Sequence, residues 1–324
     1  MRPGSKSAAL VLLCAAVAAS TAFAQPYPTR PIRVVSPFVP GGGSDIMARL
    51  VAQKLTAGLK QQAFVENRGG GGGRPGTDFV AKSAPDGHTL LVTGSGSMIL
   101  ATAMYEKLAY NVQRDFAPIT MLVQSAAVLV MHPAVPVRNV KQLVALSKSK
   151  PGLLNYASPG AGAMGHLAAE LFQSMAGIRM THVPYKGTAP GMMSVVAGET
   201  DLAFSNFLPA VPAIKAGRLR AIAVTSAKRA AMFPDIPTIG ETGVPGYEAA
   251  SYYGVLAPAA VPREIVEKLH TVLSAGLQEP ETRKSLEADG SVVLGSTPAE
   301  MARLIHVETD KWSKIIKRAG IKPE

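Results

Sequence analysis

Residues 34–50 read VVSPFVPGGGSDIMARL, and the order of residue types in that stretch decides the fold. An apolar strand over residues 32–35 runs into a proline- and glycine-rich loop, 36–43, and then into a helix. Ser44 or Asp45 is expected to supply the N-cap oxygen, with Ile46, Leu50 and Val51 on the buried face of the helix. The first N–H groups of a helix point at whatever lies in front of it, and the peptide dipoles add partial positive charge there. Glycine has no Cβ, so a ligand can come close to the backbone. The stretch therefore predicts an anion-binding turn, with a plain strand–helix junction as the alternative that the rest of the chain must decide.

Outward from that loop the same alternation continues. A strand over 63–66 leads to Arg68-Gly69-Gly70-Gly71-Gly72-Gly73-Arg74-Pro75-Gly76, whose five consecutive glycines fit no regular element. Pro75 suits the first turn of a short helix, Asp86-Gly87 a turn, and residues 89–93 a strand ending in the hydroxyl-bearing Thr93, Ser95 and Ser97. Further strands are expected over 126–131, 153–157, 179–183, 201–204, 219–225 and 252–256, with helices over 139–149, 164–175, 189–197 and 210–216 between them. The tail reads as helices over 262–277, 281–288 and 297–318, the last opened by the capping box Thr297-Pro298-Ala299-Glu300. Strand–helix alternation of this kind predicts an α/β fold with a mostly parallel sheet.

One later turn repeats the physics of the first. Ser158-Pro159-Gly160-Ala161-Gly162-Ala163 links a strand to a helix carrying Leu167, Leu171 and Met175 in one stripe. Ligands of open α/β sheets sit at the carboxyl ends of strands. Two such loops facing each other, with Ser205 and Asn206 and the hydroxyls of Thr93, Ser95 and Ser97 beside them, predict a polar lining without catalytic machinery.

Residues 1–24 have the layout of a secretory signal peptide: Arg2 and Lys6, an apolar stretch over 8–19, then Ala22-Phe23-Ala24 as the cleavage site. Leu13 before Cys14 argues against lipid attachment there. Cleavage after Ala24 leaves 324 − 24 = 300 residues with no cysteine, so disulfides and thiolate metal sites are excluded. A chain of that length favours two domains. Losing Arg2 and Lys6 takes the net charge from +11 to +9, which favours anionic partners only as a diffuse field. With no basic run and few aromatic residues, nucleic acid is not an expected partner.

The enzyme patterns fail one by one. There is no G-x-S-x-G elbow, no phosphate loop, and the first loop lacks dinucleotide-fingerprint spacing. Ser147 and Lys150 match S-x-x-K by letters, without the companion motifs. The histidines at 88, 132, 166, 182, 270 and 306 show no metal spacing. His166 and Glu170 share a helix face, where capping or packing is the expected role of the histidine. No cofactor is expected.

The chain resembles the Bug-type receptors of tripartite tricarboxylate transporters. The resemblance rests on ordered motifs along the whole mature chain: YPTRPIR at 27–33, PFVPGGGSD at 37–45, VENR at 65–68, PDGHTLL at 85–91, LNYAS at 154–158, HVPYKG at 182–187, IKAG at 214–217 and AVTS at 223–226. It implies a periplasmic clamshell of the type II-like Venus-flytrap kind, monomeric, with a ligand cleft between two domains. Residues 25–123 and 249–324 would form a discontinuous first domain and 124–248 the second, with hinge crossings near 122–125 and 246–251. It implies capture of a small carboxylate, a di- or tricarboxylate or an aromatic acid, for delivery to membrane permease subunits. Delivery to a membrane sensor is the alternative within that class, and a secreted hydrolase the alternative outside it.

Carried onto this sequence, the resemblance places the ligand against Phe38, Pro40, Gly41, Gly42, Gly43, Ser44 and Asp45. Asp45 is expected to brace the loop, since its charge would repel an anion. Ser158, Gly160, Ala161, Gly162 and Ala163, with Ser205 and Asn206, would form the opposite wall. Three positions depart from the family pattern: Ala163 where Ser or Thr is common, Ser205 where Asp is common, and Gly69 where proline is usual. The first two predict a ligand without an amino group and with an apolar or aromatic distal part.

Overall fold

The computed structural model describes residues 27–105, 107–230, 233–288 and 291–319, with the side chains of 208, 318 and 319 excepted. The signal peptide expected over residues 1–24 lies outside the described residues. The chain opens with β1 (Ile32–Ser36), α1 (Gly43–Leu59), β2 (Ala63–Asn67), α2 (Arg74–Ala81) and β3 (Thr89–Gly94). A π-helical turn, Gly96–Leu100, leads into α3 (Ala101–Met104), followed by α4 (Val112–Asp115) and the long strand β4 (Phe116–Met131). Then come α5 (Val140–Ser149), β5 (Asn155–Ser158), α6 (Met164–Ala176), β6 (Thr181–Pro184), α7 (Thr188–Ala197), β7 (Leu202–Asn206), α8 (Phe207–Lys215) and β8 (Arg220–Val224). The chain ends with α9 (Ile239–Thr242), β9 (Ala250–Pro258), α10 (Arg263–Gln278), α11 (Pro280–Glu287), β10 (Ser291–Val293) and α12 (Pro298–Ala319).

Strands run in the order β2-β1-β3-β9-β4-β7-β5-β6, with β8 and β10 also paired to β4. β1 pairs parallel with β2 and β3, and β5 parallel with β6 and β7. The two long strands β4 and β9 are antiparallel to all their neighbours, so the sheet is parallel in its outer thirds and antiparallel at the centre. β4 changes partners midway: 116–126 pair with β9, 123–125 also with β10, and 127–131 with β7 and β8. One strand thus belongs to both α/β halves of a two-domain solute-binding fold. Only its second part, 126–131, is legible as a strand. Pro118 and the register shifts at Pro118/Thr120 and Met121/Val123 interrupt the first part.

Two helix faces differ in detail from expectation. On α1 the buried stripe is Met47, Val51 and Leu55, at the i, i+4, i+8 spacing of one face, while Ile46 and Leu50 are only half-buried. On α6, Leu167, Leu171 and Phe172 are buried and Met175 is exposed. The last helix, α12, lies against β4 and also contacts α6, with Trp312 buried and its Nε1 donating to Glu308 at 3.2 Å.

Candidate functional site

Gly42, not Ser44 or Asp45, is the N-cap of α1, and no side chain caps that helix. Asp45 is drawn backwards instead. Its Oδ2 accepts from the Gly41 N–H at 3.1 Å and from Arg49 Nε at 3.0 Å, and its Oδ1 accepts from Asn67 Nδ2 at 2.9 Å. Asn67 also donates to the Phe38 carbonyl at 3.0 Å, tying β2 to the loop. Burial alone would raise the Asp45 pKa. The bonds from Arg49, Gly41 and Asn67, together with the Arg49 charge, outweigh that and hold it below the ordinary carboxylate value. Its negative charge is thus absorbed by the loop, and the loop is fixed by it.

The second loop is held by a hydroxyl and two imidazoles. Ser158 Oγ lies 2.6 Å from His182 Nε2 and accepts from the Gly160 N–H at 3.1 Å. The Gly162 N–H donates to His166 Nδ1 at 3.1 Å. The two imidazoles stack with centroids 4.2 Å apart, and Tyr156 stacks on His182 at 4.9 Å. His166 therefore ties the loop to α6, and Glu170 accepts from Tyr156 and Gln173. Ala163 is the N-cap of α6, again without a side-chain cap.

Between the loops lies a cavity of about 490 Å³, part of it open to solvent. Of the sequence-predicted residues, Phe38, Gly42, Gly43, Ser44, Ser95, Ala163 and Asn206 line it. The others stand behind this lining. Thr93 and Ser97 are fully buried and bond each other at 2.6 Å. Ser205 is buried, pairs with Val128 in the sheet, and donates to the Asn206 carbonyl at 3.2 Å. Ser95 Oγ accepts from the Tyr252 N–H at 2.8 Å. Pro40, Gly41, Gly160, Ala161 and Gly162 are absent from the lining.

Several of these instead form the lips. A Cβ on Gly41 would stand 3.2 Å from Ala189 of α7, and one on Gly72 would overlap the Ala161 carbonyl. Gly72 also needs φ +65°, which an L side chain rarely adopts. The glycine run thus packs over the second loop at the edge of the cleft.

Four helices of eight residues or more start at the cavity: α1 at Gly43, α6 at Met164, α7 at Thr188 and α8 just after Asn206. All four N-caps (Gly42, Ala163, Gly187 and Asn206) lack a side-chain cap. Away from the cavity, Asn111, Asn139 and Thr238 cap α4, α5 and α9, and Thr297 with Glu300 caps α12. Helices α2, α10 and α11 also lack a cap, and each has proline in or beside its first turn. Among the described residues, no Asp, Glu, Lys, Arg or His lines the cavity. Four helix N-termini at its wall make it suited to an anion, and the lining is poor in groups for proton transfer.

Sequence reasoning missed Pro159, Met164, Thr188, Phe204, Ser251 and Tyr253 in the lining. Ser251 and Tyr253 alternate along β9, so the period of two was the available signal for that wall. Among the described residues, no group of three or more His, Cys, Asp or Glu side chains is placed to hold a metal. No helix among them is long and apolar enough to cross a membrane.

Two α/β halves sharing a central strand, with helix N-termini turned into the cleft between them, are the architecture of a solute-binding protein. The family model described as the tripartite tricarboxylate transporter family receptor matches residues 47–321, and the chain belongs to that family. It is 33% identical over 313 residues to protein BugT of Bordetella pertussis, covering 96% of each chain. The solved structure of R. palustris Rpa4515 with adipate superposes with a TM-score of 0.89 at 36% identity, covering 92% of this chain and 100% of that one. MatC from Rhodopseudomonas palustris with bound malate gives 0.86 at 31% identity, covering 90% and 100%.

Proposed function

We propose that this receptor captures a small carboxylate in the periplasm and delivers it to the membrane permease of a tripartite tricarboxylate transporter. The observation that carries the reading is the set of four uncapped helix N-termini around a cavity that, among the described residues, has no charged side chain in its lining. Backbone N–H groups recognise a carboxylate without a counter-charge that would slow its release. The relatives solved with adipate and malate support the same ligand chemistry. The jaws are residues 25–123 with 249–324, and 124–248. The change of partners along β4 at Ala126/Ala127 supports that division.

The ligand carries no ammonium group and ends in an apolar or aromatic part. Among the described residues no carboxylate side chain lines the cavity to pair with an ammonium, and Phe38, Pro159, Met164, Phe204 and Tyr253 supply apolar walls. A thermal-shift screen of carboxylates tests this, because an acid at about 100 times its Kd adds about 2.7 kcal/mol of stability. Shifts with dicarboxylates or aromatic acids and none with aspartate or glutamate are expected. Tight calorimetric binding of either amino acid would refute the ligand class, and no shift with any acid would refute the carboxylate reading itself.

A further inference from the structure

We infer that Tyr253 is a positioning residue for ligand binding, acting through Asn206. The two side chains come from different halves of the sheet. Asn206 ends β7, which pairs with the second part of β4, whereas Tyr253 lies on β9 opposite Gly94 and Val123. Both line the cavity, and the Asn206 Nδ2 donates to the Tyr253 hydroxyl.

Three features fit the tyrosine to this role. Its ring is 7% exposed and lies against Gly94, where a Cβ would stand 3.1 Å from it. Its hydroxyl occupies the space a Cβ on Gly43 would fill, so the first helical residue of α1 is glycine where Tyr253 and Asn206 meet. Asn206 is the N-cap of α8 but its side chain does not cap that helix, so the carboxamide is held by the tyrosine instead. A carboxamide rotates broadly about its last torsion, and pinning one N–H fixes where its other polar atoms are presented. The bond also joins the α1 side of the cleft to the α8 side, so breaking it acts on the escape of ligand. This inference rests on the carboxylate reading of the same cavity.

The test is a double-mutant cycle of Tyr253→Phe and Asn206→Ala, using adipate and malate as probes, with calorimetry, stopped-flow rates and ligand-free melting. Phenylalanine keeps the ring over Gly94 and removes only the hydroxyl. Tyr253→Phe should weaken binding about tenfold, the loss expected for one hydrogen bond, through faster dissociation at unchanged association. The ligand-free melting temperature should fall only by the small amount that loss of one hydrogen bond brings, and the double variant should bind no more weakly than Asn206→Ala alone. Additive losses or an unchanged dissociation rate would each overturn the inference while the carboxylate reading stands. A wild-type chain that binds neither these nor any other acid overturns both.

Discussion

The two loops that face each other across the cavity do one job with different chemistry. Residues 38–45 are held by an ionised carboxylate: Asp45 gathers the Gly41 N–H, Arg49 and Asn67, and Asn67 reaches on to the Phe38 carbonyl. Residues 158–163 are held by a hydroxyl and an imidazole stack, with Ser158 on His182 and Gly162 on His166. In both, the side chains that fix the loop point away from the cavity, and the helix behind it starts without a cap. A backbone anion site must be rigid and yet leave its N–H groups unused. Bracing from behind meets both needs, and it can be built with or without charge.

The largest effect should come from filling the point where the loops meet. Gly43→Leu drives a side chain into Tyr253 and Asn206 and should abolish any acid-induced thermal shift. Gly42→Trp, whose Cβ would have ordinary contact with Thr188 at 3.5 Å, should also abolish the shift, by blocking the cavity rather than by a clash at Cβ. A shift that survives both substitutions would place the ligand elsewhere.

Removing the charged brace comes next. Asp45→Ala leaves Gly41, Arg49 and Asn67 without their acceptor and should cost about 2–3 kcal/mol of unfolding free energy, as well as weakening acid binding. The hydroxyl–imidazole brace should matter less. Ser158→Ala removes contacts to His182 and Gly160 and should cost about 1 kcal/mol by denaturant unfolding. Equal losses from the two substitutions would refute the distinction between the loops.

The charge difference also sets a pH window. Asp45 has a folded pKa below its unfolded value of about 3.9, so it binds fewer protons in the native state at acid pH. Its contribution is fully present above that unfolded value and is lost as pH falls through the lowered folded pKa. Asp86 and Asp115 are shifted the same way, so the measurement is the stability difference between wild type and Asp45→Asn against pH. That difference should be constant near neutrality and shrink only below about pH 4. A difference independent of pH down to pH 2 would remove the carboxylate from the bracing role.

How much of this was legible follows from what each residue does locally. Both loops were legible because proline, small residues and a following apolar stripe are adjacent in sequence. Their braces were not: Asn67 and His182 stand in short strands, and only the register of β2 on β1 and of β6 on β5 brings them beneath the loops. The wall from Ser251 and Tyr253 was hidden for the same reason, since a strand reading SYYG says nothing of what it crosses. Thr93 and Ser97 looked like ligand groups by type, and the fold places them one layer behind the lining, bonded to each other. Ser44 and Asp45 looked like caps by type, and the helix begins one residue before Ser44.

The smallest predicted effect separates bracing from capping most directly. Ala163 has the extended backbone of an N-cap, φ −71° and ψ 159°, but offers no acceptor to the first turn of α6. Ala163→Ser supplies one, and should stabilise the ligand-free protein by about 1 kcal/mol. The same hydroxyl would occupy an N–H that now faces the cavity, so acid affinity should fall severalfold while stability rises. Opposite signs in melting and in binding are what a site made of uncapped helix ends requires. Ser158→Ala lowers both, because it removes a brace and leaves the N–H groups as they are. If Ala163→Ser raised stability and affinity together, the N–H groups of α6 would not be ligand donors, and the first loop would hold the carboxylate alone.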